Sequence, residues 1–123
     1  MLPAVNRMRR SRDFASVLSA GARARGGPLV VHQCAGLRDA APLIGLVVGK
    51  SVGGSVARHR VARRLRAQLA VRLDGLPAGS GTVVRALRGA AAADSHELGA
   101  GLDYALARLA ERAVPLCEPR SVR

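Results

Sequence analysis

A run of cationic side chains at residues 58–66 is the part of this sequence best suited to chemistry with an anionic partner. It reads Arg-His-Arg-Val-Ala-Arg-Arg-Leu-Arg. In a helix, where each residue turns by 100°, one face of this run carries His59, Arg60, Arg63 and Arg66. Successive arginines on that face rise by about 4.5 Å, which is the scale of consecutive phosphates on a folded nucleic acid. Because a guanidinium presents a planar fork of donors, each arginine can bind a phosphate bidentately.

The remaining positions of that helix separate into a buried side and a rim. The buried side is predicted by apolar residues that recur at every fourth position, Val61, Leu65 and Leu69. Arg64 falls at the edge of the basic face, and Arg58 falls nearer the apolar side. No Asp or Glu occurs between Arg58 and Arg72, although a solvated helix face normally mixes acids with bases. The unrelieved charge therefore favours a polyanion-binding face over a merely solvated one.

The charge of the whole chain supports the same interpretation. In 123 residues, 20 Lys plus Arg stand against 8 Asp plus Glu, so the net charge is +12. Only Lys50 is a lysine, and a GC-rich coding bias can explain arginine in place of lysine. That bias does not explain the excess of bases over acids. A domain this small and this basic is typical of a nucleic-acid-binding protein.

A glycine-rich loop at residues 49–55 precedes the basic helix. Glycines before a helix N-terminus can cradle a phosphate on free backbone N–H groups. Lys50 comes before the glycines instead of after them, so the loop does not match a P-loop. A tight strand-to-helix connection, with glycine where φ must be positive, accounts for the same composition. Both interpretations stay open for this loop.

No set of side chains in the sequence is suited to catalysis by the protein itself. The three histidines and eight acids are scattered, and hydrolysis at two metals needs clustered carboxylates. If phosphodiester chemistry is involved, a partner should supply the active site. Phe14 is the only phenylalanine. It is either core packing for the first helix or a stacking platform for an unpaired base.

The elements that must position these groups follow from periodicity and turn signals. Helices are predicted at residues 11–20, 55–73 and 95–113, and strands at 29–34, 43–48 and 82–87, with a short edge strand at 22–26 as an option. The first two main strands are expected to form an antiparallel hairpin. The order helix, two to three strands, helix, strand, helix predicts a single α+β sandwich with helices packed on one sheet. Residues 1–113 form the predicted domain, and residues 114–123 a flexible basic tail.

Several classes of protein are excluded. The longest apolar run, about residues 40–49, is too short for a membrane span. No apolar stretch follows the N-terminal arginines, so a secretory signal is not expected. Cys34 and Cys117 lack the spacing and histidine partners of a zinc site. A disulfide between them is feasible, but the lack of a signal favours a reducing cytoplasm.

Three stretches together resemble the protein subunits of bacterial ribonuclease P. The first is Arg-Met-Arg-Arg-Ser-Arg-Asp-Phe at residues 7–14, followed by a helix that ends at a glycine. The second is Ile-Gly-Leu-Val-Val-Gly-Lys-Ser-Val-Gly at residues 44–53, similar to a family strand and loop. The third is residues 56–66, similar to the family's signature helix. The resemblance covers roughly residues 6–112, nearly the whole chain.

The resemblance implies a fold, a function and a division of labour. The family fold is α+β, ribosomal protein S5 domain 2-like, with a left-handed βαβ crossover, an exception to the usual right-handed rule. The catalyst is a large RNA that holds Mg²⁺ and removes the 5′ leader of precursor tRNA. The protein is a subunit of this endoribonuclease and is not catalytic alone. It works in the cytoplasm, with ribonuclease P RNA and precursor tRNA as partners and with neither membrane nor DNA.

Site residues are carried over by position. Together with the basic cluster, the resemblance assigns RNA contacts to Lys50, Gly53, Arg58, His59, Arg60, Arg63, Arg64 and Arg66. It places a cleft for the single-stranded leader between the sheet and the first helix, with Phe14 and His32 as its candidates and Arg9, Arg10 and Arg12 near it. No metal ligand is assigned to the protein.

The sequence departs from the family signature at several of these positions. Where the family has asparagine, this chain has Gly54 and His59, and Ala62 replaces a family lysine. His32 stands where the family often has tyrosine. The RNA-facing surface is expected to be kept, while the contacts at these positions differ.

Three other functions compete with this interpretation. A ribosomal or ribosome-assembly RNA-binding protein would associate with ribosomal particles and leave tRNA processing unaffected. A DNA-binding protein would place the arginine helix in a major groove, yet only Gln68 is available there to read bases. A stand-alone nuclease would cleave RNA in the presence of metal alone.

Overall fold

The fold is organised around a four-stranded sheet, seen in a computed structural model that describes residues 2–117. The strands are β1 (Ala22–Gly26), β2 (Leu29–Cys34), β3 (Leu43–Val47) and β4 (Gly81–Ala86). The helices are α1 (Ser11–Ala20), α2 (Ser55–Ala70) and α3 (Ser95–Ala110). The α+β class and the order of elements are as predicted, and the optional edge strand is present as β1. The predicted second and third helices each end about three residues earlier.

The strand order is β1-β2-β4-β3, which corrects one prediction. β2 and β3 do not form a hairpin, because β4 lies between them, antiparallel to β2 and parallel to β3. The hairpin is instead β1 with β2, turning at Gly27, whose φ of +56° favours glycine. Parallel strands need a crossover connection, and α2 supplies it. The β3–α2–β4 unit is thus a strand–helix–strand crossover between parallel strands, and its left hand stays a prediction.

Two hydrophobic clusters cover the two faces of the sheet. On one face, α2 and α3 bury leucine and valine side chains to zero exposure, among them Val61, Leu65, Leu69, Leu98, Leu102 and Leu109. The ridge predicted for α2 is therefore the buried side of that helix. On the other face, α1 covers only the end of the sheet near Cys34, with Val17 and Met8 packed towards Leu43 and Val83. Further along this second face, Val30 and Arg85 are partly exposed, whereas His32 is buried.

Helix α3 approaches the edge strand very closely, and two glycines make that possible. A Cβ built on Gly26 overlaps the carbonyl oxygen of Gly101. A Cβ on Gly101 would in turn stand 2.6 Å from the oxygen of Gly26. No side chain fits between these two backbones, so the pair fixes how α3 lies along β1.

Polar contacts fix the start of α3 and its packing against the end of α2. Asp94 caps α3 by accepting from the Glu97 amide at 2.8 Å, and the Glu97 carboxylate accepts from the Asp94 amide at 2.9 Å. At the end of α2, Arg72 donates to both carboxylate oxygens of Asp103, at 2.6 and 3.0 Å, and to the Gln68 carbonyl at 2.8 Å. The hydrogen bond lowers the pKa of Asp103 and raises that of Arg72. Arg72 thus serves packing rather than RNA binding.

The chain beyond α3 returns to the sheet. The Ala35 amide donates to the Pro115 carbonyl at 2.9 Å, and the Cys117 amide donates to the Ala35 carbonyl at 2.7 Å. Cys34 and Cys117, whose Cα atoms are 4.8 Å apart, form a disulfide, whereas the sequence favoured reduced thiols. Residues 115–117 are therefore held at the end of β2. The rest of the predicted tail, 118–123, lies outside the described residues.

Candidate nucleic-acid interface

The connection from β3 to α2 positions the basic helix. Two successive turns close it, with the Val52 amide donating to Gly49 and the Gly53 amide donating to Lys50, both at 3.1 Å. Gly53 has a φ of +148°, which favours glycine, and Gly54 is the N-cap of α2. The strand-to-helix interpretation of this loop thus accounts for Gly53, whereas a Cβ at Gly49 or Gly54 would meet no heavy atom within 4 Å. The Lys50 side chain is exposed beside the helix start.

Along α2, the predicted RNA contacts fall on a solvent-facing surface and in a groove. His59, Arg63 and Arg66 are exposed, and Arg60 is partly exposed. A groove of about 290 Å³, here called the α2 groove, runs between the helix and the β3 side of the sheet. Its lining is Leu46, Val48, Ser55, Arg58, His59, Ala62 and Arg66. Apolar walls with a cationic rim suit a sugar–phosphate backbone.

Two arginines of the cluster have different surroundings from the rest. Arg64 donates from Nη1 to the Ala93 carbonyl at 2.9 Å, which ties it to the start of α3 and away from the groove. The Nε of Arg58 is buried and has no hydrogen-bond partner among residues 2–117. A buried donor without an acceptor is costly, and the Arg58 side chain also lines the α2 groove.

The N-terminal arginines assigned to the leader cleft line a separate cavity. This N-terminal pocket has a volume of about 730 Å³ and is bounded by α1 and by the loop after β2. Arg9, Arg10 and Arg12 line it together with Arg7, Arg38 and Asp13. Phe14 and His32 are not among its lining residues. The structure therefore divides the five predicted leader-cleft residues between two places.

Phe14 and His32 lie on the face of the sheet that α1 partly covers. The ring of Phe14 packs over Gly45, since a Cβ at that glycine would stand 2.5 Å from a ring carbon. Phe14 is half-buried, so its ring both packs against the sheet and reaches the surface. His32 is opposite Arg23 of β1 and Val83 of β4 in the strand register. It is only 5% exposed, and its Nε2 has no hydrogen-bond partner within the described chain.

Burial lowers the pKa of His32, and the charges of Arg85 and Arg23 lower it further. The neutral imidazole is thus favoured in the folded state. Stability from this group is present above the ordinary pKa of about 6.5 and is lost as the pH falls through the lowered value. Between these two values, the unfolded chain binds a proton that the folded chain resists, so the free energy of unfolding falls with the pH in that range.

Replacing His32 with glutamine is expected to weaken the loss of stability between pH 7 and pH 5. One titrating proton changes the free energy of unfolding by at most about 1.4 kcal/mol per pH unit, and the variant lacks this contribution. Urea unfolding at a series of pH values measures this slope. The wild-type protein, unfolded over the same pH series, is the reference for this slope. Equal slopes for His32→Gln and wild type would contradict the assignment.

A third cavity joins elements whose contact the sequence does not predict. It lies at the edge of β1 and has a volume of about 870 Å³, and we call it the β1 edge groove. Its cationic and aromatic lining residues are Arg23, Arg25, Arg85, Tyr104, Arg108 and Arg112. Two signals were present in the sequence, since Arg23 and Arg25 alternate along a strand and Tyr104, Arg108 and Arg112 recur at every fourth helical position. Neither signal shows that the strand and the helix meet.

Two kinds of feature are absent from the part of the chain that is described. Residues 2–117 contain no group of three or more His, Cys, Asp or Glu side chains placed to hold a metal ion. No helix within the same range has the length and apolar character needed to cross a membrane.

Comparison with known proteins decides the family. The family model described as ribonuclease P matches residues 2–110. The chain belongs to the ribonuclease P protein family. The ribonuclease P protein component of Streptomyces bikiniensis is 49% identical over 117 residues, covering 89% of this chain and 95% of that protein. That of Acidothermus cellulolyticus is 47% identical over 112 residues, covering 90% of this chain and 93% of its own.

Solved structures of the ribonuclease P family share the fold. The protein from Staphylococcus aureus superposes with a TM-score of 0.74 at 20% identity, covering 84% of this chain and 94% of that one. The protein from Thermotoga maritima gives a TM-score of 0.69 at 22% identity, covering 87% and 97%. The fold is therefore retained in relatives whose sequences differ at four positions in five.

Proposed function

We propose that this chain is the protein subunit of ribonuclease P, the endoribonuclease that matures the 5′ end of tRNA. The observation that carries the proposal is the unrelieved basic surface of α2 on a ribonuclease P protein fold. His59, Arg63 and Arg66 are exposed there, and no acid occurs on the helix. Relatives at 47–49% identity are named as this component.

The proposed division of labour gives the catalysis to the RNA. Lys50, Gly53, the α2 groove and the exposed basic side chains of α2 contact ribonuclease P RNA. The half-buried Phe14 forms part of the surface for the 5′ leader, and the buried His32 lies beneath that surface. Arg9, Arg10 and Arg12 supply positive charge from the N-terminal pocket. Arg64, bonded to Ala93, contributes charge near the interface rather than a direct contact.

Mg²⁺ is proposed to bind the RNA partner, where it supplies the charge stabilisation that phosphodiester hydrolysis needs. The protein's own contribution is electrostatic. Enzyme RNA and substrate are both polyanions, and a domain of net charge +12 between them reduces their repulsion. The protein should therefore lower the Mg²⁺ concentration that cleavage requires. These events are proposed to occur in the bacterial cytoplasm.

Cleavage of a precursor tRNA by the cognate ribonuclease P RNA at low Mg²⁺ tests this function. Adding the protein should stimulate cleavage at least about tenfold, and the protein alone should be inactive. The physical reason is the screening of RNA–RNA repulsion, so the stimulation should shrink as Mg²⁺ rises. Absence of stimulation, together with co-sedimentation with ribosomal particles, would instead support a ribosome-assembly protein.

A further inference from the structure

We propose that the β1 edge groove binds a second, 5′-distal stretch of the single-stranded leader, beyond the part held at the sheet face. The inference rests on the proposed function and extends it to residues that neither the sequence motifs nor the family resemblance assigned. The occupant is one strand of RNA with unpaired bases.

The groove joins two elements that are far apart in the chain. Arg23 and Arg25 are exposed on β1, and Arg85 enters from β4. Tyr104, Arg108 and Arg112 form the opposite wall on and just beyond α3, spaced by one helical turn each. The close approach of Gly26 and Gly101 holds these walls together.

The charge of the groove selects an anion. Five arginines line it, and no Asp or Glu of the described chain is among its lining residues. Two of them are oriented by the backbone, since Arg25 donates from Nε to the Gly27 carbonyl at 3.1 Å and Arg112 donates from Nη1 to the Arg23 carbonyl at 3.2 Å. Each of these bonds uses one nitrogen of a guanidinium that has several donors. Phosphate oxygens are the acceptors that this geometry suits.

Tyr104 makes the groove specific for unpaired bases rather than for any anion. It is the only tyrosine of the chain, and it is 56% exposed, so its ring is open to a ligand. The guanidinium carbon of Arg108 lies 5.8 Å from the ring centroid, and its Nη1 donates to the Tyr104 hydroxyl at 3.1 Å. A held, exposed ring surrounded by arginines is the arrangement on which single-stranded RNA stacks without regard to sequence.

The position of the groove indicates which strand fills it. Arg23 is the register partner of His32, and Arg85 is the partner of Val30 on the same face. The groove therefore begins beside the surface proposed for the leader and continues around the β1 edge to α3. A leader that leaves the sheet face in this direction meets the groove next. Continuity of surface thus favours the same RNA molecule over a separate partner.

The test uses the reconstituted holoenzyme and precursor tRNAs whose leaders grow one nucleotide at a time. For the wild-type holoenzyme, the affinity for precursor tRNA should rise first as the leader fills the sheet face. It should rise a second time once the leader is long enough to reach Tyr104. Tyr104→Ala should abolish this second rise. Because one stacked base is lost, precursors with long leaders should bind about tenfold more weakly. Short leaders should bind equally to both proteins. Tyr104→Phe, which keeps the ring, should restore most of the gain.

The matched control is Arg88→Ala, which removes one exposed charge outside the lining of the groove. It should leave the second rise in place, whereas Arg108→Ala should reduce it. The inference is overturned if Tyr104→Ala binds every leader length as wild type does, or weakens short and long leaders alike. In both cases, the proposed function is still supported if the wild-type protein stimulates cleavage of precursors with short leaders. Failure of wild type to stimulate that cleavage would refute the proposed function itself.

Discussion

Replacing both Arg63 and Arg66 with alanine should flatten the salt dependence of binding to ribonuclease P RNA. Each lost phosphate contact removes about 0.7 to 0.9 from the slope of log K against log salt, so the pair should remove about 1.4 to 1.8. At low salt, binding should weaken by more than about tenfold. Both side chains are exposed, and neither has a hydrogen bond or ion pair within residues 2–117. Filter binding over a series of salt concentrations measures slope and affinity together.

The lysine variants provide the informative control for this experiment. Arg63→Lys with Arg66→Lys keeps both charges and should keep the slope, while losing affinity because lysine cannot bind phosphate bidentately. Arg88→Ala, which removes an exposed arginine that is not on α2, should change the slope less than Arg63→Ala does. If the double alanine variant keeps the wild-type slope, these two side chains do not contact phosphates of the RNA.

The variant Gly26→Ala should destabilise the fold by about 3 kcal/mol or more, because a Cβ overlaps the Gly101 carbonyl oxygen. A backbone atom cannot rotate aside as a side chain can, so α3 must move away from β1. For a domain of this size, the midpoint of thermal unfolding should fall by more than about 10 °C. Calorimetry or circular dichroism measures the change.

A glycine-to-alanine substitution where the added methyl group meets no neighbouring atom serves as the control. It separates the effect of the clash from the general effect of adding a methyl group. Gly75 has no heavy atom within 4 Å of a built Cβ and has no positive φ. Gly75→Ala should therefore alter stability by less than about 0.5 kcal/mol. If both alanine variants unfold at the same temperature as wild type, the close contact between β1 and α3 described above would be contradicted.

Local signals in the sequence were enough to predict the elements but not their pairing. The ridge Val61, Leu65 and Leu69 is buried as its spacing predicts, and the alternation in residues 22–26 forms a strand. The expected hairpin of β2 with β3 is wrong because strand order depends on contacts distant in sequence. One signal was available, since the nearly continuous apolar run of β3 is typical of a buried parallel strand.

The candidate site divides in the same way. The basic face of α2 follows from helical spacing alone, because all of its members lie on one element. Arg64 shows the limit, since its carbonyl partner Ala93 belongs to a segment 29 residues away. The β1 edge groove could not be predicted, because its two walls meet only through the packing of α3 on β1.

The central place of β4 in the sheet has a consequence for synthesis on the ribosome. Only β1 and β2 can pair as they emerge, because the second edge of β2 and the inner edge of β3 both await residues 81–86. Long-range pairing of this kind is slow and closes late. A nascent chain arrested before residue 81 is therefore expected to expose its arginine-rich helix without a folded domain behind it. Arrest after the α3 segment has cleared the exit tunnel should give the protease-resistant fold.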